Sequence, residues 1–359
     1  MTITPQDLAN LVQGVGDKDA DLQAKKRAID EYRVESTYSA IEESKKELTA
    51  LGSLVFSLGQ NKSILKGIER GREYMDSAAQ CMRFVCNEFN GKIPFFPKNI
   101  ILAGAYSADG KSTLTSNICY DLLCQKKKVL VITNEEALSD VYNRVTCISQ
   151  GWIYANHENF TKAQKDFLDE AAKNMSSQMY VIDNDHDGAS DLTVSYEGIV
   201  SILSSIEKQE EKFDAIVIDY YQNISMMKAD MKMEDYKVQA KFVKWLDQFK
   251  NRYPAPIVIM SQLKAVSKEN TLPFKERIEG RKSIYNIATF AIEIRADKPN
   301  LRTEWTIHKS RFNDCQGQTF YTGWKRGRYV PYDNAFRLEV EDTKMKRAAE
   351  KSAAMNRNK

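Results

Sequence analysis

At 359 residues with 42% hydrophobic side chains, the chain can bury one large α/β domain plus a smaller appendage. Its 52 basic and 49 acidic residues leave a net charge of only +3, which excludes nucleic-acid binding through overall charge and directs attention to local basic patches. Six cysteines with no C-x-x-C pair and three scattered histidines argue against a zinc site and fit free thiols in a reducing compartment.

The start, MTITPQDLANLVQG, lacks a basic segment followed by an apolar core, and no apolar run is long enough to cross a bilayer. A cytoplasmic protein without membrane contact is therefore expected. From residue 1 to about residue 90 apolar side chains recur at spacings of three and four, as in Ile64, Ile68, Met75 and Met82, which predicts a small all-α region. The stretch GKIPFFPK at residues 91–98 breaks that pattern and marks a boundary. The resulting division is a helical region 1–92 for assembly, partner docking or linking, an ATPase domain 93–336, and a charged tail 337–359, frayed or flexible. Within the middle segment, apolar runs at residues 100–103, 129–133, 179–183, 215–219, 256–260, 290–294 and 305–308 alternate at first with helical stretches. They predict a mostly parallel central sheet, buried on both faces, with an antiparallel edge added by the closely spaced final strands.

The first of these strands runs through Ala105, Ser107, Ala108, Asp109, Gly110, Lys111, Ser112 and Thr113 into an amphipathic helix. This is the pattern of a phosphate-binding loop, in which backbone N–H groups and a helix N-terminus meet phosphates, Lys111 adds a cation and the Ser112 hydroxyl can ligand Mg²⁺. Ala105 stands where the first glycine of such loops is usual, with Gly104 just before it. In FDAIVIDYYQNI an apolar strand ends on Asp219, the place for a carboxylate that holds Mg²⁺. Tyr220 follows it, so the glutamate that AAA+ proteins place there is missing. The strand ending in Glu135 and Glu136 supplies the alternative: Glu135 is expected to polarise the attacking water, as in RecA-like ATPases, and Glu136 to be the exposed acid at a helix start.

Together, ADGKST, NEEALSDVYNRV and VIDYYQ resemble the ATPase domain of the DnaB family of replicative helicases and its phage primase-helicase relatives, over roughly residues 100 to 333. The resemblance implies a RecA-like P-loop NTPase fold, ATP and Mg²⁺ as substrate and cofactor, and single-stranded DNA held in a homo-oligomeric, hexameric ring. It also implies a primase or helicase loader as partner. It makes Gln262, in PIVIMSQLK, the γ-phosphate sensor. It makes Lys309 and Arg311, in HKSRFND, the pair that reaches a neighbouring subunit's ATP. Arg295 and Trp324 fall where relatives clamp the adenine. The DNA-binding loops would follow the Asp219 and Gln262 strands, with Lys228 and Lys232 in the first and Lys264, Lys268, Lys275, Arg277, Arg281 and Lys282 in the second. Residues 1–92 do not resemble the family's usual N-terminal domain, which favours a minimal, phage-type protein. A RecA-like filament subunit and an ATP-switched loader adaptor are the alternative functions, distinguished by filament formation and by absence of turnover.

Overall fold

A computed structural model describes residues 84, 86–93, 95–183, 195–209, 211–219, 235–264, 272–280, 282–311 and 314–357. They all lie within one compact unit, Tyr74–Lys359. Its strands are β1 (Ile100–Ala105), β2 (Val129–Thr133), β3 (Met179–Ile182), β4 (Ala215–Asp219), β5 (Ile257–Gln262), β6 (Phe290–Asp297), β7 (Arg302–Ser310), β8 (Thr319–Lys325) and β9 (Arg328–Pro331). They form one nine-stranded sheet in the order β3-β2-β4-β5-β1-β6-β7-β8-β9. Pairing is parallel from β3 to β6 and antiparallel from β6 to β9. The helices are α1 (Lys111–Cys124), α2 (Leu138–Gln150), α3 (Lys162–Met175), α4 (Tyr196–Lys208), α5 (Asp235–Arg252), the short α6 (Phe274–Arg277) and α7 (Ser283–Ile287), and α8 (Asn334–Arg357).

Every residue of β1, β2 and β4 is buried, as an apolar run covered on both faces requires. Alternation along β1 sends Ile101, Ala103 and Ala105 into the core beneath α1 and α2, and Ile100 and Leu102 into the core beneath α4 and α5. Local signals fix the helix ends. A capping box of Thr161 and Gln164 opens α3, Ser195 accepts from the Gly198 N–H at 3.0 Å to open α4, and Gly151 at φ 66 closes α2.

Phe84, Cys86, Phe89 and Ile93 precede or straddle the predicted boundary, yet they sit in the core of this unit. Phe89 meets the rings of Trp305, Phe320 and Tyr329 at 4.7, 5.8 and 5.6 Å between centroids, sealing the antiparallel end of the sheet. The segment read as a charged tail is helical from Asn334 to Arg357, with Phe336 and Val340 buried where the helix leaves the sheet. Among the described residues no helix is long and apolar enough to cross a membrane.

Candidate active site

The parallel strands all point the same way, so their C-terminal ends bring distant loops to one edge of the sheet. Register places Ala105 beside Gln262 and Thr133 beside Asp219. The phosphate loop, both glutamates, the strand-end aspartate and Gln262 therefore meet along this edge.

The loop leaves β1 at Ala105, a buried strand residue, and turns sharply before α1: Ala108 has φ 63 and Gly110 φ 104. Gly104, rather than position 105, needs to be glycine. A Cβ there would lie 2.7 Å from Cε2 and 2.8 Å from Cζ of Phe274. No side chain caps the α1 N-terminus and no acid lies in its first turn, so its N–H groups present positive charge to the loop, with Lys111 buried alongside. The arrangement suits a polyphosphate.

Asp219 is 2% exposed. Its Oδ2 accepts from Thr115 Oγ1 at 3.1 Å, whereas its Oδ1 is buried without a hydrogen-bond partner. Burial, followed by the charges of Glu136 and Glu135, pushes its carboxyl up to about 7. A buried carboxyl with an unpartnered oxygen beside two further acids gains its full charge when a divalent cation binds, so Ser112 and Asp219 fit Mg²⁺ in chemistry. Among the described residues no group of three or more His, Cys, Asp and Glu could hold a metal by itself. Mg²⁺ shares its coordination with water and substrate phosphates.

Of the two glutamates, Glu136 differs from expectation in its surroundings. Thr133 Oγ1 accepts from the N–H groups of Glu135 and Glu136 at 3.3 and 3.2 Å, bending the chain after β2. Glu135 is exposed at the strand end. Glu136, predicted to be the exposed acid, is largely covered instead: it pairs with Arg144 at 2.6 Å and accepts from Ser112. Burial raises its pKa against the opposing effects of Arg144 and Ser112. The difference arises because α2 starts at Leu138, capped by Asp183 Oδ2 at 2.6 Å from the Leu138 N–H, and returns Arg144 over the cleft. The Arg144 guanidinium lies 5.2 Å from the Tyr154 ring centroid.

A cavity of about 280 Å³ adjoins the loop, lined by Ala108, Asp109, Gly110 and Thr113 of the loop and α1 and by Arg302, Trp324 and Tyr329 of the antiparallel strands, among others. Its size and aromatic wall suit a flat heterocycle. Trp324 lines this cavity and Arg295 does not. The Arg295 guanidinium turns back to Glu293, with Nε 2.8 Å from Oε1, and Arg302 supplies the arginine of the cavity wall. The buried carboxylate of Glu293 inside β6 attracts Arg295 more strongly than an open cavity can.

Lys309 and Arg311 lie elsewhere. Phe290 opens β6 beside Ile101, and β7 runs back so that Lys309 pairs with Ala291 and Ser310 with Phe290. Ala105 is level with Ile294 and, through it, with Trp305, so the four to six residue steps from Trp305 carry Lys309 and Arg311 about 13–20 Å along the strand direction, toward the edge opposite the phosphate loop. There Lys309 Nζ donates to the carbonyls of Tyr285 and Asn286 at 2.6 and 3.1 Å, and Arg311 Nη2 to Asn286 at 3.1 Å. Burial, then Arg311, Lys250 and Lys275, lowers the Lys309 pKa to about 8.

Of the basic residues expected to face DNA, Lys264 is exposed and Lys275 half-buried. Lys282 is ion-paired to Glu276. Arg277 does not face solvent: it is 5% exposed and donates to both oxygens of Glu293. Its place in a short helix after Pro273 points it inward, where only a buried acid can neutralise it. Lys228, Lys232, Lys268 and Arg281 lie outside the described residues.

Sequence reasoning missed Thr115, Asn117, Arg302 and the Glu293 cluster. Asn117 Nδ2 donates to the Gly327 carbonyl at 2.9 Å and its Oδ1 accepts from the Tyr329 N–H at 3.1 Å, tying the β8–β9 hairpin to α1. A signal for Glu293 existed: it is the one acid within the apolar run FAIEI, and a buried acid needs a partner.

Residues 90–309 match the family model described as the DnaB-like helicase C-terminal domain. A solved structure described as an ATPase domain superposes with a TM-score of 0.60 at 13% identity, covering 77% of this chain and 100% of that one. A DnaB-like replicative helicase, solved in a study of its interactions with primase, superposes with a TM-score of 0.58 at 14% identity, covering 89% of this chain and 81% of that one. A comparison with curated protein sequences gave no match.

Proposed function

This chain belongs to the DnaB-like helicase C-terminal domain family and is an ATP-hydrolysing helicase; from that premise we propose that it works as a hexameric ring translocating on single-stranded DNA, each ATP site being completed by the neighbouring subunit. The observation that carries the reading is the division of the machinery between opposite edges of one sheet. The phosphate loop, Asp219, Glu135 and Gln262 share one edge. Lys309 and Arg311 lie toward the other, about 13–20 Å back along the strand direction from the level of Ala105. A basic pair so placed cannot serve its own chain's nucleotide, whereas a head-to-tail ring brings the two edges together at every interface.

In this reading the α1 N-terminus and Lys111 hold the β- and γ-phosphates, and the heterocycle enters the cavity walled by Trp324 and Arg302. Ser112 and Asp219 would hold Mg²⁺, which neutralises phosphate charge when bound. Glu135, the exposed acid at the cleft, orients and deprotonates the attacking water. Glu136, held by Arg144 and accepting from Ser112, keeps the strand end in place. Gln262, beside Ala105 in the sheet, senses the γ-phosphate. Lys309 and Arg311 of the adjacent subunit stabilise the charge of the transferring phosphoryl group. Lys264 and the loops after β4 and β5 grip the DNA backbone without reading its sequence. A primase or a helicase loader is the partner class the family offers to residues 1–92.

Unwinding of a forked duplex by the full chain, with negative-stain imaging in the presence of an ATP analogue and single-stranded DNA, tests the reading. Closed rings and ATP-dependent strand separation are expected. Extended filaments instead would move the assignment to a recombinase-like subunit.

A further inference from the structure

The cluster around Glu293 is not used by the chemistry above, although it lies between the phosphate loop and the segment that follows the sensor strand. Glu293 is 2% exposed, on β6. Its Oε1 and Oε2 accept from Arg277 Nη1 and Nη2 at 2.5 and 2.6 Å, and it also accepts from Arg295 and His308, both at 2.8 Å. Burial by itself raises the pKa of this carboxyl; the hydrogen bonds from Arg277, His308 and Arg295 override that effect and hold it far below the usual carboxylate range. Arg277 uses the rest of its guanidinium to reach in two further directions. Nη1 donates to the Tyr106 hydroxyl at 2.8 Å, in the phosphate loop, and Nε donates to the Leu272 carbonyl at 3.1 Å.

The same segment is fastened to the strand ends on either side. Phe274 packs on Gly104 and stacks on His308 at 4.4 Å between centroids. The Lys264 N–H donates to the Arg277 carbonyl at 2.7 Å, and the Glu279 N–H to the Gln262 carbonyl at 3.0 Å. The stretch 272–280 is therefore bonded at once to the loop that holds phosphate, the strand that ends in the sensor glutamine, and a buried acid on β6.

We propose that the Glu293–Arg277 pair is a clamp making residues 272–280 move with the phosphate loop, so that Arg277 is a positioning residue coupling nucleotide state to the DNA-facing segment. A planar guanidinium fits this task because its fork engages both carboxylate oxygens while keeping donors for Tyr106 and Leu272. An ammonium in its place has no such fixed directions. A buried ion pair gives little net stability relative to apolar residues of similar volume; its value here lies in fixing one geometry between two loops. The clamp rests on the functional reading only in assigning this segment to the DNA side, so it is tested first without DNA.

Hydrogen exchange of the full chain is measured with and without AMP-PNP and magnesium, in wild type and in the double variant Arg277→Met with Glu293→Leu. That replacement removes both charges together and leaves Arg295 and His308 able to reach water. In wild type, exchange slows in the phosphate loop and in residues 272–280; in the double variant the loop still responds and residues 272–280 no longer do. A wild-type chain whose loop is protected while residues 272–280 stay unchanged, or a folded double variant with the wild-type response, overturns the clamp. Arg277→Lys, the milder change, gives the second readout. Stimulation of turnover by oligo(dT) falls by about fivefold or more, while turnover without DNA stays within about twofold of wild type; undiminished stimulation overturns the proposal. A wild-type chain that DNA does not stimulate counts against the helicase mechanism instead, and the exchange data then decide the clamp.

Discussion

Replacing Gly104 by alanine tests how closely the phosphate loop and the segment after β5 are packed. The added Cβ would stand 2.7 and 2.8 Å from Cε2 and Cζ of Phe274 and 3.0 Å from Cδ2 of Leu263. Both neighbours are buried. Contacts that short do not persist, so something must move. Phe274 is the obstacle, but its ring is stacked on His308 and its helix is held through Arg277, so the strain spreads into β1 and the loop. Overpacking of this kind costs about 1–3 kcal/mol. We expect about 2 kcal/mol for Gly104→Ala, a fall in Tm of roughly 4–8 °C, and a raised KM for ATP, because Gly104 directly precedes Ala105 at the loop's origin. Leucine at 274 lacks the two ring atoms that collide. In a Phe274→Leu background the same glycine replacement should therefore cost less than about 1 kcal/mol, a coupling of about 1 kcal/mol between the sites. Urea denaturation of the four chains measures this directly. An equal cost in both backgrounds would refute the packing argument, and no cost at all would mean that β1 and α6 can separate freely.

Three further outcomes follow from the geometry. Lys309, with a pKa of about 8, is charged in the folded chain only below that value. Above about pH 8 the unassembled chain brings an uncharged Lys309 to the interface, so ATP-dependent assembly and the turnover that depends on it should weaken there, and Lys309→Arg should flatten that limb. The same group's contribution to stability has the opposite trend, rising from about pH 8 toward the unfolded lysine value near 10.4. For Glu293, depressed in the folded state, the contribution is fully present above the unfolded value of about 4.3 and declines as pH falls toward the folded one. Acid titration followed by tryptophan fluorescence should show Glu293→Gln less stable than wild type near neutrality, with the gap narrowing as pH falls below about 4. Asn117→Ala leaves the Gly327 carbonyl and the Tyr329 N–H without their partner, a loss of about 1–3 kcal/mol, and should weaken ATP binding by releasing the hairpin that carries Trp324 over the cavity; thermal unfolding and nucleotide titration read the two effects.

The parts of the fold that could be read from the sequence are those whose determinants lie close together along the chain. Val129–Thr133 and Ala215–Asp219 are strands with the predicted bounds because a parallel strand covered on both faces must be an unbroken apolar run. The phosphate loop was legible for a similar reason: its chemistry needs a glycine, a lysine and a hydroxyl within a few residues. What escaped reading depends on contacts between residues far apart. Thr115 meets Asp219 across 104 positions and Asn117 meets Tyr329 across 212. No local pattern distinguishes either from an ordinary polar residue on a helix. Arg277 was misplaced because it sits within a run of basic residues, and only the fold shows that its turn of helix faces Glu293 rather than solvent. Glu136 was misjudged likewise: the start of α2 is set by Asp183 at the end of another strand, and that start brings Arg144 back over the acid.

The shared ATP site is tested most directly by mixing two inactive chains. Lys111→Ala damages the phosphate-loop edge and Arg311→Ala the opposite edge, so each variant alone should be nearly inactive. In a randomly mixed head-to-tail ring about a quarter of the interfaces join an intact loop to an intact arginine. The measurement is steady-state ATPase of the two chains co-assembled on single-stranded DNA, with subunit exchange confirmed by fluorescence transfer. Activity rising on mixing to about a quarter of the wild-type rate is the predicted result. No rescue despite demonstrated exchange, or full activity of Arg311→Ala alone, would contradict a site built from two subunits.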